Sequence, residues 1–128
     1  MTATIGTVVT HRRYVPYSHA HYAGNLVDGA YSLAAFGDVA TEMCIVTDGD
    51  EGLFASYEDV QFRAPVRAGD VLEINAELVR AGNRSRVLHF TAYVVARGAA
   101  TATRPGAATL LDPPLLATEA TGTVVVPG

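Results

Sequence analysis

Three features of this sequence predict an α+β fold, an antiparallel sheet wrapped around one long central helix. Ala20 to Thr47 (AHYAGNLVDGAYSLAAFGDVATEMCIVT) is the one long stretch with helical apolar spacing. Later segments alternate apolar and polar residues, the period of a strand with one buried face. Clusters of Gly, Asn, Asp and Pro separate them as turns. There are no internal repeats, and one domain is expected over residues 1–128.

Thr4 to Arg13, with Ile5, Val8 and Val9, reads as a first strand that Pro16 ends. Tyr14 to Asn25 is an aromatic, polar and irregular loop, either a ligand-contacting crossing or a wet edge. From Leu26 the apolar residues cover more than one face, predicting a helix enclosed on most sides that ends before Asp48-Gly49-Asp50-Glu51-Gly52. Leu53 to Arg63 is the next strand. Leu72 to Val79 and Arg86 to Ala96 alternate clearly and form a hairpin across Ala81-Gly82-Asn83. Arg97 to Pro114, rich in Gly, Ala, Thr and Pro, reads as a flexible connection, and Leu115 to Val126 as a final strand with Gly122 as a bulge. One strand, a buried helix and a run of antiparallel strands make the arrangement called a hotdog.

Charged residues are only 17% of the chain against 49% hydrophobic ones, a lean surface that predicts a homodimer or larger homo-oligomer. A net charge of -4 argues against nucleic-acid binding, which needs a basic face. The lone Cys44, among apolar helix residues, reads as a buried small hydrophobe. No secretion signal and no apolar run near membrane-spanning length are present, so a cytoplasmic protein without membrane partners is expected.

AHYAGNLVDGA, FGDVATE, DGDEGLF, YEDVQFRAPVRAGD (Tyr57 to Asp70) and GNRSR together resemble the β-aminoacyl-CoA ammonia lyases of the hotdog superfamily, which act on 3-aminobutyryl-CoA or β-alanyl-CoA. The similarity runs from about His19 to Ala92, with a looser echo at Ala120-Thr121-Gly122. It implies reversible β-elimination of ammonia from a 3-aminoacyl-CoA to a 2-enoyl-CoA, without metal or redox cofactor. It also implies active sites at subunit interfaces. One position departs: the family pattern has an Asp before Ala-His-Tyr, where this chain has His19.

Such an elimination needs a base for the α proton, a group for the amine and stabilisation of the enolate oxygen. Asp38 and Glu42, four residues apart, share one helix face, and burial of either in an apolar wall would raise its pKa toward that of a general base. Free N–H groups at the helix start, at Val27, Asp28 or Gly29, would meet a thioester oxygen, with Asn25 either the N-cap or a direct ligand contact. His21 and Tyr22 stand just before them, where either could orient substrate or shuttle a proton. Gly82, Asn83, Arg84 and Arg86 form a glycine-bearing cationic turn for the CoA phosphates, with Arg63 and Arg67 as further cations. No metal-binding spacing and no nucleophile elbow occur, and Ser32 and Ser85 lack a neighbouring base. Two other readings stay open: an acyl-CoA thioesterase using the same carboxylate, and a non-catalytic acyl-CoA binder. The helix start and the carboxylates are too far apart along one helix for a single thioester to touch both, so either a second subunit supplies one half or only one half is catalytic.

Overall fold

The structure, a computed structural model, describes residues 4–127. In chain order it contains β1 (Val8–Tyr14), β2 (Ala20–Tyr22), β3 (Leu26–Val27), helix α1 (Gly29–Asp48), β4 (Leu53–Phe62), β5 (Val71–Ala81), β6 (Ser85–Gly98) and β7 (Ala108–Val125). Five strands form an antiparallel sheet in the order β1-β5-β6-β7-β4, and β2 and β3 pair as a separate ribbon. The helix packs on one face of the large sheet, as the hotdog arrangement requires.

The alternating strands behave as their pattern predicts. Leu72, Ile74, Ala76 and Leu78 of β5 and Leu88, Phe90, Ala92 and Val94 of β6 all point into the core. Opposite them α1 buries Ser32, Ala35, Phe36, Val39, Ala40, Met43, Cys44 and Thr47, the i, i+3, i+4, i+7 stripe of a helix lying on a sheet. Phe36 stacks on Phe90 with ring centroids 5.0 Å apart. The opposite side of the helix is open, with Ile45 49% and Val46 46% exposed, so within one chain it is not enclosed on most sides.

Helix α1 begins at Gly29 rather than Leu26. Tertiary hydrogen bonding is the reason: the Val27 N–H donates to the Val66 carbonyl at 2.8 Å, and Leu26 bridges to Arg67, so both residues are held extended. Asp28, not Asn25, is the N-cap, its carboxylate accepting from the Tyr31 N–H at 3.2 Å. Asn25 has a left-handed φ of 61°, and its carbonyl accepts from the Ala68 N–H at 2.9 Å. At the other end Gly49, at φ 66°, closes the helix through an N–H bond to the Ile45 carbonyl.

Two other expectations change. Residues 97–114 are not a loose connection throughout, because β6 and β7 continue their pairing through Ala96↔Leu110 and Gly98↔Ala108, leaving residues 99–107 as the link. Gly122 is not a bulge. It pairs in register with Tyr57 and Leu88, and a Cβ there would lie 2.5 Å from Phe54 Cζ and 2.8 Å from Phe90 Cε2, so two aromatic rings require its missing side chain.

Candidate active site

A pocket of about 410 Å³ opens at the start of α1, lined by Tyr22, Val27, Asp28, Gly29, Ser32, Phe62, Arg63, Ala64, Pro65, Val66 and Thr118. Four parts of the chain build it: the β2-β3 ribbon, the first helical turn, the end of β4 with the segment after it, and the middle of β7. Phe62 leans over the helix start so closely that a Cβ on Gly29 would sit 2.5 Å from its ring. Glycine therefore lets an aromatic wall close against the helix backbone. Among the described residues, the Gly29 and Ala30 N–H groups have no hydrogen-bond partner, as the geometry of a helix start dictates, whereas Val27 is occupied by Val66 and leaves the expected donor set. These open amides and the helix dipole offer fixed partial positive charge to an oxygen that becomes negative during a reaction.

His21 does not line the pocket but stands beside two residues that do, its Nδ1 4.0 Å from Asp28 Oδ2 and its ring edge-on to Tyr22 with centroids 4.6 Å apart. His19, the residue that departs from the resembled pattern, packs on Tyr31 of the first helical turn at 4.8 Å between ring centroids. Both histidines are exposed.

The carboxylates lie elsewhere. Asp38 and Glu42 are on the exposed side of α1, not in an apolar wall, and each faces a basic group of β1: Asp38 accepts from Arg13, and Glu42 Oε1 lies 2.7 Å from His11 Nε2. The small residues around them in sequence are not their neighbours in space, because the helical stripe turns Ala35, Val39 and Ala40 inward and leaves these two outward. Nine residues separate Gly29 from Asp38, about 14 Å of helix rise. One chain therefore does not bring the carboxylates to the pocket.

The glycine-bearing hairpin also changes role. Arg86 is buried and gives a two-pronged salt bridge to Asp48 at the helix end, with Nε to Oδ2 at 2.9 Å and Nη2 to Oδ1 at 2.6 Å. Its third nitrogen donates to the Gly82 and Ser85 carbonyls at 2.9 and 2.8 Å. Arg86 holds the Asp48 carboxyl below its ordinary range, and Asp48 in turn raises the Arg86 pKa, so the pair is a structural clamp rather than a phosphate site. Asn83 and Arg84 remain exposed at the turn, at the opposite end of the helix from the pocket.

Of the further cations, Arg63 lines the pocket but pairs with Glu119. Arg67 lines a second cleft of about 310 Å³ with Tyr14, Tyr17, Asn25 and Arg97. The Arg97 guanidinium is held by the fully buried Asp70 at 2.9 and 3.0 Å, whereas Arg67 makes no ion pair among the described residues. No cluster of three or more His, Cys, Asp or Glu placed to hold a metal occurs among the described residues. No helix there is long and apolar enough to cross a membrane.

Sequence reasoning missed six lining residues: Ser32, passed over for want of a base, and Phe62, Ala64, Pro65, Val66 and Thr118, which carry no local signal. Only the one-turn spacing of Ser32 from Gly29 on the same helix pointed toward the pocket.

The thioesterase superfamily pattern matches residues 24–101. The chain is 48% identical over 110 residues to 3-aminobutyryl-CoA ammonia lyase of Acetoanaerobium sticklandii, covering 84% of this chain and 85% of that protein. It superposes on β-alanyl-CoA:ammonia lyase of Clostridium propionicum with a TM-score of 0.89 at 38% identity, covering 96% of this chain and 87% of that one. A hexameric hotdog-fold thioesterase of Campylobacter jejuni shares the fold, with a TM-score of 0.75 at 19% identity over 92% of this chain and 81% of that one. This chain belongs to the thioesterase superfamily and, within its hotdog fold, to the family of the β-aminoacyl-CoA ammonia lyases.

Proposed function

We propose that this protein catalyses the reversible β-elimination of ammonia from a short 3-aminoacyl-CoA, such as 3-aminobutyryl-CoA, giving a 2-enoyl-CoA. The observation that carries this reading is a small pocket walled by Phe62 at the helix start, where the Gly29 amide is free, in a chain 48% identical to a 3-aminobutyryl-CoA ammonia lyase. The thioester oxygen rests at the Gly29 and Ala30 N–H groups, which lower the acidity barrier at the α carbon by holding the enolate charge. His21, faced by Asp28, orients the thioester from beside the pocket, whose wall includes Tyr22. A carboxylate takes the α proton. The electrons of that C–H bond form the carbon–carbon double bond, and the C–N pair leaves with nitrogen as ammonia.

Asp38 or Glu42 of a second copy supplies that carboxylate, since neither reaches the pocket of its own chain. The free outer edge of β4 beside the pocket, with Leu53 73% and Phe62 58% exposed, and the open side of α1 support an oligomer with interface sites. CoA is substrate, and the reading needs no further cofactor. Arg67 and its tyrosine-lined cleft receive the nucleotide end of CoA, while Gly82, Asn83 and Arg84 reach such a ligand only from another copy.

The test is incubation with crotonyl-CoA and ammonium, following loss of the enoyl absorbance. Turnover is expected, with Asp38→Asn or Glu42→Gln lowering kcat by about a hundredfold or more. No reaction with any short enoyl-CoA would sink the proposal. The superfamily match also favours a thioesterase reading, and free thiol released from acyl-CoA at a rate above ammonia addition would assign that activity instead. Tight CoA-thioester binding without either turnover would mark a non-catalytic binder.

A further inference from the structure

The floor of the helix-start pocket holds two buried hydroxyls from distant parts of the chain. Ser32, on the second turn of α1, and Thr118, in the middle of β7, are each 2% exposed, and both line the pocket. Their oxygens are 3.3 Å apart. That is long for a hydroxyl pair, whose usual separation is about 2.7–2.8 Å, so the contact leaves both groups short of saturation.

Ser32 differs from the other hydroxyls of its helix. Thr41 and Thr47 donate to the carbonyls four residues back, of Gly37 and Met43, at 3.0 Å each. Ser32 makes no such bond among the described residues and turns toward Thr118. A hydroxyl carries one donor and two acceptor lone pairs. One hydrogen bond between the two groups uses one donor and one lone pair, which leaves a single donor and three lone pairs. The pair is therefore chiefly an acceptor site, complementary to a group rich in N–H. Of the other lining residues, Val27, Phe62, Ala64, Pro65 and Val66 are apolar; the one side-chain carboxylate, Asp28, is engaged by the Tyr31 N–H as the helix cap, and Tyr22 and Arg63 complete the wall.

Position agrees with chemistry. Ser32 lies three residues beyond Gly29, a rise of about 4.5 Å along the helix. A carbonyl oxygen at the Gly29 amide and a substituent two carbons further along an acyl chain are separated by a similar distance. We propose that Ser32 and Thr118 hold the β-nitrogen of the substrate in the floor of the pocket, selecting 3-aminoacyl thioesters over acyl thioesters that lack it. This assignment rests on the lyase reading above. In the elimination direction the ammonium hydrogens bond to the two oxygens while the C–N electron pair passes to nitrogen, and ammonia remains cradled until it leaves. In the addition direction the same bonds fix the N–H groups of ammonia and aim its lone pair at the β carbon of the enoyl thioester.

Initial rates of ammonia addition to crotonyl-CoA, measured across ammonium concentrations for wild type, Ser32→Ala, Thr118→Val and Thr118→Ser, test the inference. Removing either hydroxyl is expected to raise KM for ammonium by about tenfold or more, with KM for crotonyl-CoA changed less than about twofold. Thr118→Ser keeps the hydroxyl and should stay near wild type. Unchanged ammonium KM in both truncated variants overturns the proposal, as does a parallel rise in both KM values. Thr118→Val preserves side-chain shape and Ser32→Ala is favourable to helix, so the two separate lost hydrogen bonding from lost folding. If wild type adds ammonia to no enoyl-CoA, the lyase reading falls by itself. Calorimetry then decides the cradle: wild type preferring 3-aminobutyryl-CoA over butyryl-CoA, with the preference lost in Thr118→Val, sustains it, and equal affinities overturn it.

Discussion

Arg86 and Asp48 show what a charged residue means only once its surroundings are known. In the sequence Arg86 is one of several cations beside a glycine turn; in the fold its three nitrogens are consumed by Asp48 and two backbone carbonyls. Because the folded state lowers the Asp48 pKa, its stabilising contribution is complete above the ordinary carboxylate value of about 4 and is lost as pH falls through the lowered one. Asp48→Asn leaves the buried guanidinium without its counter-charge and is expected to cost about 3 kcal/mol at neutral pH. Urea unfolding should show that loss, together with a flatter decline of stability below about pH 4 than wild type has. Two other groups, the buried Cys44 and the half-buried Tyr57, are kept neutral. Burial pushes the Cys44 thiol up to about 11 and the Tyr57 hydroxyl to about 12, the latter also donating to the Leu33 carbonyl at 2.6 Å.

The strands and helix show which local signals survive folding. Period-two alternation in β5 and β6 was legible because a sheet with one buried face tolerates no other pattern. The helix boundary was not, because residues 26 and 27 adjoin a helix but are held extended by pairing with β2 and by contacts to residues 66 and 67. Gly122 was legible as special, though for a different reason: it makes room for Phe54 and Phe90. Gly122→Ala should therefore cost about 1–3 kcal/mol through overpacking, and adding Phe54→Leu should recover much of it, as a double-mutant cycle by thermal denaturation would show.

The whole molecule poses the question of assembly, since the helix-start pocket and the carboxylates lie on one chain but not at one site. An interface origin for the base predicts subunit complementation. A pocket variant, Gly29→Trp, and a carboxylate variant, Asp38→Asn with Glu42→Gln, should each be inactive alone. Mixed under subunit exchange in equal amounts, they should regain roughly a quarter of wild-type activity, because half the dimers are hybrids and one of two sites in each is intact. Strictly additive residual activities would place all catalytic groups within one chain.

The family and the α+β hotdog fold could be read from the sequence itself, because they rest on local periodicity and on ordered motifs close together in the chain. The tertiary structure alone decided that Asp28 caps the helix, that Asp38 and Glu42 face outward, that Arg86 is a clamp and that Thr118 meets Ser32. Those facts depend on which residues distant in sequence become neighbours, on where the hydrogen bonds of each backbone group end, and on which side of a helix the sheet covers. No spacing within a single segment encodes them.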